Sequence, residues 1–174
     1  MRTPPAAEKE VVATLMFSAA GVVGLLLAPW DSPALAPTAL FYTVLVINTF
    51  FSIRFFAHLP PTKRDETRID GILTILYLAL ALTIGRAVPF MGIATVLFLA
   101  AVAKYALLLR LIEYPRTLHR KMAIDSLGAL LCLAALVGAW AGFAIESAWA
   151  LAVVFAAANV FLLLVRPMYR VLDS

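Results

Sequence analysis

Residues 90–110 read FMGIATVLFLAAVAKYALLLR, an apolar run that carries one charge, Lys104, before Arg110 closes it. An α-helix needs about 20 predominantly apolar residues to cross the hydrocarbon core of a bilayer, so this run predicts a membrane helix. A charge within such a helix costs at least about 2.5–3.5 kcal/mol near the centre and less toward the ends. Lys104 therefore calls for a partner, a water-filled cavity or an escape to the interface. Two other runs hold a polar residue at similar depth: Asn48, six positions before Arg54, and Asn159, seven before Arg166.

The whole chain repeats the character of this run. Of its 174 residues 64% are hydrophobic and 14% charged, with a mean hydropathy of +0.98. A soluble domain is about 45–50% apolar, so the composition predicts an integral membrane protein. Apolar runs of near-bilayer length fall at 11–29, 38–56, 69–85, 90–109, 122–141 and 147–165, which predicts an all-α domain of six transmembrane helices spanning 1–174. The first run is longer than a signal peptide's apolar core and lacks a clear cleavage site, so it is expected to stay as a helix. The lone Cys132 lies in an apolar run, which leaves no disulfide and no cysteine metal site.

The connections alternate. Those at 30–37, 86–89 and 142–146 are short, whereas 57–68 and 110–121 are longer and rich in Lys, Arg and His. Counting Lys104 toward its nearer end, 13 of the 14 Lys and Arg residues fall on the side of the long loops and the termini, and only Arg86 lies opposite. The positive-inside rule then puts both termini in the cytoplasm. Trp30, Trp140 and Trp149 fall at the other helix ends, where an outer aromatic belt belongs. The expected setting is a bacterial cytoplasmic (inner) membrane. A net charge of +4 that flanks apolar runs in this way is a topology signal and not a nucleic-acid surface.

Arg54, Arg110 and Arg166 recur at intervals of 56 residues. Pro33 with Pro89, Arg64 with Arg120 and Asn48 with Lys104 keep the same period, and in each long loop a threonine precedes an aspartate by eight residues, Thr62 to Asp70 and Thr117 to Asp125. Three copies of a helix hairpin about an axis along the membrane normal would produce this pattern. Hairpins of equal length would produce it too, because every cytoplasmic helix end attracts an arginine.

Thr62 and Thr117 fit helix N-caps, which would carry Asp70 and Asp125 to the inner membrane boundary, about 12 Å along their helices. Either carboxylate could meet Lys104. The expected substrate or ion site therefore comprises Lys104, Asn48, Asn159, Asp70 and Asp125 with Arg54, Arg110 and Arg166. A plain interface ion pair, with Lys104 reaching toward water, is the competing reading. Asn48 and Asn159 could equally bridge helices, for about 0.6 kcal/mol each. His58 and His119 lie in comparable loops but have no third ligand, so no metal site is assigned, and the cofactor is left unknown. No Ser-His-Asp set, HExxH, glycine-rich phosphate loop or paired catalytic carboxylates can be read. Small residues at Ala20 and Gly24, Gly128 and Cys132, and Ala134 and Gly138 predict close helix contacts. Phe41, Tyr42, Phe50, Phe51, Phe55 and Phe56 make the second run bulky, with lipid or a partner subunit expected against most of these rings.

Arg54-Phe55-Phe56-Ala57-His58-Leu59-Pro60, followed by Ile69-Asp70 and Tyr77, resembles the junction between the second and third helices of voltage-sensor domains. Phe50 stands where that family has an acid, and the fourth run offers Lys104 and Arg110 in place of a cation at every third position. Membership is not assigned. The five residues at 142–146 are too few for a re-entrant filter loop, which excludes a tetrameric-channel pore. The leading expectation is a small transport or permeation protein, in which cations attract an anionic group and carboxylates take a coupled proton. The alternatives are a non-catalytic accessory or scaffold subunit of a larger membrane complex, and an interfacial enzyme acting on lipid head groups. The lipid bilayer, a homo-oligomer or a larger complex are the partners these readings imply.

Overall fold

A computed structural model of the chain describes residues 6–56, 64–109 and 115–165, with side chains placed over 11–55, 68–109 and 118–165. Regular structure there is all helical: α1 (Ala6–Leu27), α2 (Leu35–Phe56), α3 (Arg64–Leu82), α4 (Ala87–Leu108), α5 (Pro115–Trp140) and α6 (Ala144–Val160), which widens into a π-helical turn over Phe161–Val165. Four stretches are long and apolar enough to cross a membrane: Leu35–Phe55, Ala87–Leu108, Leu118–Trp140 and Ala144–Val165. The apolar part of α1, Val11–Leu27, is shorter, and α3 opens on the charged turn that holds Arg64, Asp65, Glu66 and Arg68.

Helix ends follow the breakers in the sequence. Pro115 begins α5, where its missing N–H costs nothing and its φ is already helical. Thr117 is thus inside the helix and not its N-cap, while Thr62 lies outside the described residues. Pro37 and Pro89 sit in the first turns of α2 and α4, which tolerate them. At the end of α5, Gly142 takes φ +99° and donates its N–H to Ala139 O, while Phe143 N–H reaches Gly138 O. These two bonds close the helix in a Schellman motif.

Packing runs around a ring in the order α1, α2, α6, α5, α4, α3 and back to α1, with α4 and α6 also touching across it. A hairpin rotated three times would place odd and even helices alternately. Here α1 lies beside α3 and α2 beside α6, so the helix order does not supply the three-fold axis expected from the arginine spacing.

Outward faces are apolar on every helix, with Leu15, Ile47, Ile75, Leu99, Leu130 and Val153 exposed in chain order. Exposed apolar surface this continuous fits lipid. Between apolar helices in lipid, association rests on close packing. A Cβ at Gly24 would come within 2.1 Å of Ala81 O, which is why α1 and α3 can approach only at glycine. Gly128 lies under the Phe98 ring and Cys132 is fully buried, whereas Ala134 faces outward, against expectation.

The interior of the ring is divided in two. Toward the end carrying Trp30, Trp140 and Trp149, Phe41 stacks on Phe155 with centroids 4.3 Å apart and meets Phe90 edge-on at 5.6 Å. Phe98 joins them at 5.8 Å from Phe155. Phe41 and Tyr42 are thus core residues, exceptions among rings most of which are expected against lipid or a partner subunit. Loops at that end are tied together by Ser32 Oγ donating to Gly85 O at 2.6 Å and Gly85 N–H donating to Thr38 Oγ1 at 2.9 Å. Toward the other, basic end the interior turns polar.

Candidate functional site

The polar interior is built from α5 upward. Leu118, Lys121, Asp125, Ala129 and Cys132 recur at three and four residues, so they share one face of the helix, and all are buried. That face turns into the ring and takes two charges with it. Lys121 Nζ donates to Asp125 Oδ1 at 2.7 Å, with the side chains 5% and 3% exposed. Neither ion has bulk solvent, so each depends on the other and on nearby dipoles for the stabilisation that water would give.

Neighbouring helices supply hydroxyls. The Tyr105 ring of α4 lies 5.8 Å from Lys121 Nζ, a distance at which a cation feels the ring's negative face. Tyr105 Oη hydrogen-bonds Ser52 Oγ of α2 at 3.1 Å. One turn earlier on α2, Thr49 hydrogen-bonds the Tyr77 hydroxyl of α3 while donating its own hydroxyl to Leu45 O. Phe17 of α1 stacks on Tyr77 with centroids 4.3 Å apart, fixing that ring. Tyr77 is buried, 7% exposed, within electrostatic reach of Lys121 and Asp125. Leu108 and Leu118, with Tyr105, form a small apolar cluster beside the pair. Asp125 Oδ2 is enclosed and has no hydrogen-bond partner among the described residues.

No family model matches this chain, and no curated protein or solved structure matches it either.

The residues singled out from the sequence are dispersed. Lys104 Nζ pairs with Asp70 Oδ1 at 2.5 Å on the flank formed by α3 and α4, with side chains 23% and 50% exposed. Asp125, the other carboxylate considered for Lys104, is held instead by Lys121. Asn159 is buried on α6 and turns its amide back to Phe155 O at 2.9 Å. Asn48 is half-buried on α2, and Arg54 is exposed near the end of the same helix. Arg110, Arg166 and His58 lie outside the described residues, and His119 is exposed on α5. Among the described residues no three His, Cys, Asp or Glu side chains gather as metal ligands.

Lys121, Tyr105, Tyr77, Thr49 and Ser52 were not foreseen as a site. One signal was available: Lys121 and Asp125 stand four apart at the head of a small-residue face, the spacing of a helical ion pair. Elsewhere, α1 and α2 part to leave a cleft of about 360 Å³, lined mainly by apolar side chains with Thr14, Ser18 and Thr43 in its wall. Its lining shares no residue with the polar cluster.

Proposed function

We propose that the protein is a small transport or permeation protein, its six helices all crossing a bacterial cytoplasmic membrane, with the Lys121–Asp125 cluster as its polar site. α1 and α3 pack within the ring beside helices of crossing length, which supports their crossing as well. The asymmetry of Lys and Arg puts the basic end, with the cluster, on the cytoplasmic side. The observation that carries this reading is the enclosed ion pair with one carboxylate oxygen left open. A buried pair is often no more stabilising than apolar residues of the same volume, so this costly arrangement is poorly explained as a fastening. Ionisable groups within a membrane bundle mark substrate and ion pathways.

In this reading Phe41, Phe90, Phe98 and Phe155 close the interior between the cluster and the far side, so transport requires this layer to part. The test is flux into liposomes that hold the purified chain. Asp125→Asn should reduce flux at least about tenfold, with the bundle still folded by circular dichroism. Undiminished flux would reject the site. A second reading is an accessory subunit, favoured by one observation: Lys104 and Asp70 put a charged pair on an otherwise apolar flank. A stoichiometric partner that co-purifies with the chain and is released by Lys104→Met with Asp70→Leu would establish it.

A further inference from the structure

An ionised carboxylate accepts hydrogen bonds at both oxygens, and Asp125 uses one. Oδ1 takes the Lys121 ammonium at 2.7 Å, while Oδ2, in a residue 2% exposed, has no donor among the described residues. A buried acceptor left open is destabilising, and a cation, a neutral donor such as water, or a proton could relieve it. A metal ion or organic cation would have to enter beside the Lys121 ammonium, whose repulsion opposes it. Water would leave both charges in place. A proton cancels the carboxylate charge where it lands and needs no space beyond one O–H bond.

We propose that Asp125 is a proton-binding site and, on the transport reading above, that the proton is the ion to which transport is coupled. A proton from cytoplasmic water adds to Oδ2, forming one O–H bond and turning the carboxylate into a neutral acid. The reverse step returns it to water. Protonation replaces an ion pair with a weaker hydrogen bond, so the Lys121–Asp125 contact is weakened as the proton arrives. This ties occupancy of Oδ2 to the packing of α5 against α4.

The charged and titratable surroundings single out this group. Lys121 faces Asp125 from α5 itself, and Tyr105 and Tyr77 come from α4 and α3. The described part of α6 carries no ionisable residue at this level, since Glu146 is in its first turn at the opposite end. Lys104 and Asp70 neutralise each other on the flank, and Asp70, half exposed, is not enclosed as Asp125 is.

Infrared difference spectroscopy on the purified full chain in lipid, swept from about pH 9 to about pH 4, reads the proton directly. The expected result is a carboxylic-acid carbonyl band of one proton per chain, appearing on acidification and exchanging slowly in deuterated water. Asp125→Asn should abolish that band and Asp70→Asn should leave it. If Asp125→Asn fails to fold, Asp125→Glu keeps a carboxyl at the position and must move the band, as must carbon-13-labelled aspartate in the unaltered chain. No such band, or one that survives Asp125→Asn, overturns the proposal and leaves water as the donor to Oδ2. A band without flux in liposomes would reject transport and keep the proton site, whereas flux without the band would do the reverse.

Discussion

Two lysine–aspartate pairs, Lys104–Asp70 and Lys121–Asp125, have nearly equal lengths, 2.5 and 2.7 Å, and opposite surroundings. The first joins two helices on a flank, with its carboxylate half exposed. The second joins successive turns of one helix, at 5% and 3% exposure, with hydroxyl-bearing residues of α2, α3 and α4 around it. The first pair lies within two turns of the basic helix ends, where interfacial water can solvate what one ion leaves unsatisfied. In the second, bulk solvent is shut out, and what stabilises the carboxylate must come from the protein around it. The same chemical pair is therefore a flank contact in one place and an enclosed ion pair in the other, and the enclosure makes the difference.

The largest effect should come from removing one ion of the enclosed pair. Asp125→Ala leaves the Lys121 ammonium buried without its carboxylate, and the expected loss is about 3–5 kcal/mol in reversible unfolding from detergent or lipid. Asp70→Ala should cost about 1 kcal/mol or less. Equal losses would dissolve the distinction between the pairs.

Removing both ions sharpens it further. Lys121→Met together with Asp125→Leu replaces the pair by apolar side chains of similar size, and stability should return to within about 2 kcal/mol of the original or exceed it. Flux in liposomes should stay lost. Recovery of stability without flux separates fastening from function, and recovery of both would mean that the pair only fastens.

How far the chain could be read from its sequence follows from the same physics. Apolar length finds long apolar helices: each of the six apolar runs falls in a helix, α4 expected at 90–109 and observed at Ala87–Leu108, and four of the six are long and apolar enough to cross a membrane. It does not find charged turns that remain helical, because their side chains are solvated while the backbone ladder continues. Hence α5 was expected from 122 and begins at Pro115, and α3 was expected from 69 and begins at Arg64. The first of these differences decided the site, since a boundary at 122 leaves Lys121 in a loop and hides its relation to Asp125. Asp70 and Asp125 also looked equivalent at matched distances from Thr62 and Thr117. Their burial depends on which way each helix turns within the ring, and that rotation is set by packing partners far away in sequence. Thr49, Ser52, Tyr77 and Tyr105 escaped for the same reason.

The hydroxyl shell should matter less than the ions. Tyr105→Phe keeps the ring beneath Lys121 but removes the hydroxyl from Ser52, for an expected loss of about 0.5–1.5 kcal/mol. Ser52→Ala should cost about the same, and the double change should cost less than the sum, because the two remove one shared bond. Additive losses in such a cycle would show that the bond carries no energy.

The smallest effect belongs to the flank. A double-mutant cycle on Lys104 and Asp70 should give a coupling of about 0–1 kcal/mol that shrinks as salt rises, since the pair lies near the basic helix ends, where interfacial water and salt can reach it. The same cycle on Lys121 and Asp125 should be insensitive to salt, because mobile ions cannot enter the enclosed site. Lys104→Met should then leave flux near that of the unaltered chain. A tenfold loss of flux from Lys104→Met, with stability unchanged, would move the site to Lys104 and Asp70 on the flank and would make the enclosed pair the structural one.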